Sequence, residues 1–423
     1  MASWLERHRE VIVKGAVAGA TLLVAVVTGV LLYFAFGRSP EVPAGTFVIS
    51  TTPQGAPREV ERIVLRNEYG LRYLEHTPAG DLRRDMEEMI AAERHPDAMI
   101  VTLDEELRQN GPDWFLETDY DTAGLLPAPD WFVPYYWRWY GLFFDPRAWE
   151  QGRDGGTATN IPAVATLSDL LDYKVGVETR FGTDLVMWLD YLILRTQGAE
   201  YLAALRSGEV SFSNERTVPA ITILQELAIS GALGERTRGR SRSEVLFALE
   251  AGEVDLVLAS IGERRDFPRN LQERIRGIAI PPELGERFSV ETAPALSELG
   301  FMTGWVFLQD PLREITFLAD EIVSPEFQEQ VAVEMELSPV RAGIDPTARE
   351  PRIPRLDRLS PVPVPQELYS LEYLLPPAFL VLDELDFRRY RGALLDWFLN
   401  DDLAVNALQT MLDDALREAR GPG

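Results

Sequence analysis

The stretch from Gly300 to Ile344, GFMTGWVFLQDPLREITFLADEIVSPEFQEQVAVEMELSPVRAGI, leaves few ways to fold. Phe301 to Leu308 is apolar or small at every position, so it predicts a strand that is covered on both faces. Gln309-Asp310-Pro311 stops that strand and starts a helix. Ile315, Leu318, Ala319 and Ile322 then fall three and four apart, which makes one apolar helix face. Ser324-Pro325-Glu326 restarts helix with a cap and a proline at the first position, and Ser338-Pro339-Val340 ends it. A doubly covered strand needs helical layers around it, so the block points to an α/β architecture.

The N-terminal half repeats the alternation. Phe47 to Ser50, Leu71 to Glu75 and Met99 to Val101 read as short buried strands. Helices are predicted between them, one running to about Glu68 and one from Asp81 to Glu93. Strand–helix alternation implies a parallel sheet with helices on both faces. Ligands of such sheets sit beyond the carboxyl ends of the strands, which singles out Thr51, Thr52, Thr102 and Asp104. Further on, Lys174 to Glu178 and Glu253 to Ala259 read as strands, the second closed by Ser260-Ile261-Gly262. Helices are predicted from about Thr183 to Leu194, from Val218 to Ile229 and from Glu244 to Leu249. Arg349 to Pro365 is rich in Pro and Arg and reads as a surface crossing, and Gln366 to Arg420 as a helical tail.

The N-terminus speaks about location. Ala16 to Phe36 is a run of 21 residues without a charge. At about 1.5 Å per residue it spans roughly 30 Å, the hydrocarbon thickness of a bilayer. Arg7, Arg9 and Lys14 precede it and Arg38 follows, so the positive-inside bias puts the short tail in the cytoplasm and the bulk outside. A cleaved signal peptide ending near Val42-Pro43-Ala44 is the rival reading, but signal h-regions are usually shorter. Both readings export the globular part. With 67 acidic against 41 basic residues the chain carries a formal charge of -26, which argues against a nucleic-acid partner. There is no cysteine, hence no disulfide, no thiolate metal site and no lipid-modified N-terminal cysteine.

Several further segments fall in a recognisable order. They are Pro96-Asp97 before the strand to Val101, then Val133-Pro134-Tyr135 leading to Leu142-Phe143-Phe144-Asp145. Ile161-Pro162 with Thr166 to Leu171 comes next, followed by Gly252-Glu253 before Val254 to Leu258, and Leu399 to Ala404 before a last helix. Together with the block from Gly300, these resemble the extracellular solute-binding proteins that feed sugar-type ABC importers. The likeness covers most of residues 45–420. It implies a two-lobed type II periplasmic-binding-protein-like α/β fold, here with an N-terminal transmembrane helix. The implied organisation is a cytoplasmic tail over 1–14, an anchor over 15–37 and a linker over 38–45. Lobe 1 is built from 46–142 plus 303–345 and lobe 2 from 143–301 plus 355–423.

The resemblance further implies capture of a small polar solute, foremost a carbohydrate, by lobe closure, and its delivery to ABC permease subunits in the membrane. It implies no catalysis and no cofactor, and a monomer outside the transporter. A sensing or non-transport binding module of the same fold is the alternative, and a membrane-anchored glycan hydrolase the third. Against catalysis, His8, His76 and His95 form no metal pattern, and no G-x-S-x-G, H-E-x-x-H or P-loop is present. Asp119-Tyr120-Asp121 lacks the rest of a calcium loop.

The candidate ligand contacts follow from these readings. In the run PDWFVPYYWRWYGLFFDP, strand alternation would put Tyr135, Trp137 and Trp139 on one face and Tyr136, Arg138 and Tyr140 on the other. Rings with polar tips suit sugar faces, while core packing at a lobe junction is the competing role. Arg138 must stack, pair with a carboxylate or meet a ligand. Arg180 and Phe181 lie in a loop before a helix whose first amides could receive an anion or hydroxyl, ordinary capping being the alternative. Ser260 and Trp305 complete the set, the latter as a cleft contact or as core. Sugar binders often carry a tryptophan after the Gly-Glu strand, whereas Ala259 to Arg265 here is polar and basic, which leaves an anionic ligand open.

Overall fold

In the computed structural model the described residues are 46–50, 72–76, 97–103, 105–147, 162–260, 266–288, 297–308, 318–335, 337–344, 373–375, 384–400 and 403–420, with the single positions 91, 377, 378 and 382. The expected anchor over 15–37, the first two helices apart from position 91, Thr51, Thr52, Asp104 and the loop over 261–265 lie outside them. No helix among the described residues is long and apolar enough to cross a membrane.

Strands β1 (Thr46–Ser50), β2 (Arg72–His76) and β3 (Ala98–Thr102) pair in parallel with β1 in the middle, as the N-terminal alternation predicts. Helix α1 (Glu105–Trp114) follows, and the aromatic run forms one long strand, β4 (Val133–Phe144). Next come β5 (Val175–Gly176), α2 (Thr183–Gln197), α3 (Ala199–Ser207), α4 (Val218–Ile229), α5 (Arg242–Glu250), β6 (Leu256–Ser260) and β7 (Arg276–Ile278). The second long strand is β8 (Ser297–Phe307). It is followed by α6 (Leu318–Val323), α7 (Pro325–Val333), β9 (Ser338–Pro339), β10 (Tyr373–Leu375), α8 (Glu384–Leu399) and α9 (Val405–Arg420). Ser324 caps α7 by accepting the Phe327 amide, with Pro325 in the first turn, as its sequence predicts.

The strand order is β2-β1-β3-β8-β4-β6-β5, with β10 on β8 and with β7 and β9 on β4. The sheet is therefore mixed rather than wholly parallel, because β8 runs antiparallel to both β3 and β4. Strand β4 changes partner midway. Val133 to Trp139 pairs with β8, while Tyr140 to Phe144 pairs with β6 and β7. Strand β8 does the same, with Thr303 to Phe307 on β3 and Ser297 to Leu299 on β10. Two sequence expectations are corrected. The tail is not helical throughout, because Tyr373–Leu375 adds to the free edge of β8. The strand expected from Lys174 to Glu178 is cut to two residues, because Glu178 turns away to bond the start of α2.

Among the described residues the apolar core falls into three clusters. One packs Tyr135, Trp305, Phe307 and Ala98 against α6 and α7. A second packs α2, α4, α8 and α9 against Tyr140, Leu142 and Leu256. The third, built on Trp137, Trp139 and Phe143, reaches from Met99 and Val101 in β3 to Val245, Val257 and Phe267 on the β6 side. Gly304 is demanded by close approach in β8. A Cβ there would meet the Phe132 ring and lie 2.6 Å from the Val133 carbonyl oxygen.

Candidate ligand-binding site

Cross-strand partners share a face, so the pairing of β4, β8, β3 and β6 assigns each side chain its side. Tyr136 stands opposite Thr303, Arg138 opposite Phe301, Thr102 opposite Thr303 and Tyr140 opposite Ser260. These residues therefore line one face of the two long strands. Trp137 and Trp139 occupy the other face inside the third cluster, where the Trp137 indole donates to the Pro339 carbonyl at 2.9 Å.

The expected alternation holds from Tyr136 onward and fails at Tyr135. The register shifts between Pro134 and Tyr136, so Tyr135 is the extra residue of a bulge. It leaves the face of Trp137 and enters the cluster under α7, where its hydroxyl donates to Met335 Sδ at 2.9 Å and its ring lies 5.7 Å from that of Phe327. Tyr135 and Trp305 are both fully buried and serve that core, which is the packing role the sequence left open for them.

Arg138 lies between cores. Tyr136 belongs to the cluster on one side and Tyr140 to the cluster on the other, while neither Arg138 nor its partner Phe301 belongs to any. The guanidinium carbon sits 5.6 Å from the Phe301 ring centroid. Beside it the hydroxyls of Thr102 and Thr303 are 3.3 Å apart. Ser260 is buried at the end of β6, next to Tyr140. The face thus combines one cation, hydroxyls and ring edges, the mixture that orients a polar ligand.

Two buried contacts brace this face from α2. The Tyr191 hydroxyl donates to the Tyr140 carbonyl at 2.9 Å, and Arg195 forms an ion pair with Glu298 of β8. Burial pushes the Glu298 carboxyl above its usual range, against the opposing pull of Arg195. It also raises the Tyr191 phenol well above its ordinary value, with the nearby Glu298 charge adding to the effect. Both long strands are therefore held by one helix.

The start of α2 is not open to an anion. The Glu178 carboxylate accepts the amides of Phe181, Gly182 (2.9 Å) and Thr183 (3.1 Å), filling the place where a bound anion would sit. Gly182 adopts a left-handed backbone (φ 84°) as the cap residue, which permits the sharp entry. Arg180 lies over the Phe181 ring, and Phe181 is 53% exposed on the surface. Thr179 and Arg180 donate their amides to the Arg240 carbonyl, so this loop is built into the edge beside α5. Sequence reasoning missed Phe301, Thr303 and Glu178. Phe301 and Thr303 alternate along β8, a signal that a two-residue period carries. Nothing local marks Glu178 as a cap.

Among the described residues, no group of three His, Cys, Asp or Glu is placed to hold a metal. No family model matches the sequence, and no curated protein matches it. Solved structures do. The bacterial solute receptor AcbH, described as having an exclusive preference for b-D-galactopyranose, superposes with a TM-score of 0.66 at 11% identity, over 88% of this chain and 96% of the receptor. A probable secreted solute-binding lipoprotein from Streptomyces coelicolor gives 0.62 at 13% identity, over 88% of this chain and 98% of that one. A putative binding protein, MsmE, from Bacillus subtilis, in an open conformation, gives 0.61 at 12% identity, over 91% and 100%. The chain has the solute-binding-protein fold. This is the mixed α/β fold of the two-lobed periplasmic binding proteins that the sequence resemblance implies.

Proposed function

We propose that the protein is the extracytoplasmic solute-binding component of an ABC importer, capturing a carbohydrate-like solute between two lobes and presenting it to a permease. The observation that carries this reading is the pair of long strands, each paired with different strands along its two halves, in a fold shared with solute receptors. In the proposed division, residues 46–142 with 303–345 form one lobe and 143–301 with 355–423 the other. The change of partner in β4 between Trp139 and Tyr140, and in β8 between Leu299 and Thr303, supports it. Closing the lobes over the face of Tyr136, Arg138, Tyr140, Ser260 and Thr303 would let each half supply contacts, so that ligand binding favours the closed form. The names of the matched proteins describe receptors and binding proteins, which supports binding rather than catalysis.

The run from Ala16 to Phe36 supports an uncleaved anchor over 15–37 that keeps the globular part, read as a monomer outside the transporter, tethered outside the cytoplasm; the run itself bears only on the anchor. A thermal-shift screen of sugars, polyols, amino acids and anions should find a stabilising solute. Small-angle scattering with that solute should show a smaller radius of gyration, and an unchanged radius at saturation would count against capture by closure. Protease accessibility in intact cells tests the outward orientation.

A further inference from the structure

Among the described residues three arginines are buried, and they differ in one respect. Arg195 is paired with Glu298, and Arg206 with Asp190 at 2.6 Å. Arg138, 5% exposed, has no carboxylate of the described residues within ion-pair distance, and this alone sets it apart, since the Nε of all three is buried without a hydrogen-bond partner. The Phe301 ring covers one face of the guanidinium but satisfies none of its five N–H donors. A buried charge without a partner is strongly unfavourable, and arginine, unlike lysine, cannot escape by releasing its proton. Among the described residues the surroundings offer hydroxyls, from Thr102, Thr303 and Tyr136, and no carboxylate within ion-pair distance.

We infer that the solute is anionic, a carbohydrate-sized molecule bearing a carboxylate or phosphate, and that Arg138 is the residue that selects it. This rests on the reading of the chain as a solute-binding protein. A planar guanidinium meets a carboxylate or phosphate through two parallel N–H···O bonds, which a neutral sugar hydroxyl cannot reproduce. Position favours the assignment as well. The opposite face of β4 is sealed by the Trp137 and Trp139 cluster, whereas among the described residues Arg138 and Phe301 belong to no apolar cluster. The hydroxyls beside it suit the uncharged part of such a ligand.

Matched pairs of solutes test the inference on the full-length protein by titration calorimetry: galacturonate against galactose, glucuronate against glucose, and glucose 6-phosphate against glucose. In at least one pair the acidic member should bind about tenfold tighter or more, roughly the free energy of one charge-assisted contact. The carboxylate and phosphate pairs tell the two anions apart. Arg138→Gln should erase the preference between the members of a pair, and Arg138→Lys should retain part of it. The unliganded Arg138→Met variant should melt at or above the wild-type temperature, since it removes an uncompensated charge. Tighter binding of neutral members, a preference untouched by Arg138→Gln, or an Arg138→Met variant melting well below wild type would each overturn the inference while leaving solute capture standing. Absence of binding to every member and to the wider solute screen would overturn capture itself.

Discussion

Glu178 occupies the position that an external anion would take at the start of α2. Three consecutive amides point at its carboxylate, and the Glu178 amide in turn donates to Asp184 at 2.8 Å. Replacing it by glutamine removes the charge and one acceptor, so Glu178→Gln should lower stability by about 1–3 kcal/mol, read as a shift of the urea midpoint. Asp413 plays a comparable part on the surface, accepting from Ser211 Oγ at 2.5 Å and from the Phe212 and Ser213 amides at 2.6 and 2.9 Å. Burial alone would raise its carboxyl, but these bonds outweigh burial and hold it below the ordinary aspartate value. The sign follows from linkage. A carboxyl depressed in the folded state adds stability above its unfolded value, and that stability is lost as pH falls through the folded value. Wild type should therefore exceed Asp413→Asn in urea midpoint at pH 7, and the gap should close in acid below about pH 4.

At the scale of elements, α2 is what fixes the two long strands relative to each other. Its residues from Asp184 to Thr196 are all buried, so it is a core helix rather than a surface one. It carries Tyr191 to the Tyr140 carbonyl of β4 and Arg195 to Glu298 of β8. Removing one member of a buried pair strands the other. Glu298→Leu should accordingly cost about 3–5 kcal/mol in chemical denaturation, whereas Arg195→Met with Glu298→Leu together should recover much of that loss. The apolar pattern of this helix is legible along the chain, and so are the strand β4 and the cap of α7 at Ser324. Their partners are not, because Tyr191 and Tyr140 stand 51 residues apart and Arg195 and Glu298 103 apart. The short strand β10 was also illegible, since Tyr373–Leu375 becomes a strand only through the free edge of β8.

For the whole molecule, the face behind the proposed cleft is as informative as the face in front. Trp137, Trp139 and Phe143 make a single cluster that joins β3 to α5, β6 and Phe267 across the change of strand partners. In the proposed two-lobed reading, closure would then bend or twist β4 and β8 rather than part the two halves. Trp137→Ala should cost about 3–5 kcal/mol and, by cutting this apolar continuity, should split a single calorimetric unfolding transition into two. A variant that still unfolds in one step would show that the halves are coupled elsewhere, through α2.

The sequence by itself determined the α/β class, the identity of the long strands and most helices, and the position of an arginine amid aromatic rings. Those follow from local period, caps and composition, which act over a few residues. Only the tertiary structure decided which of those residues face one another. A bulge turned Tyr135 into the core, Glu178 filled a helix start that looked open, and Trp305 went to packing. Arg138 was left between two cores without a carboxylate of the described residues to meet it. Register and charge pairing are set by contacts between distant segments, and a local pattern carries no record of which distant partner will arrive.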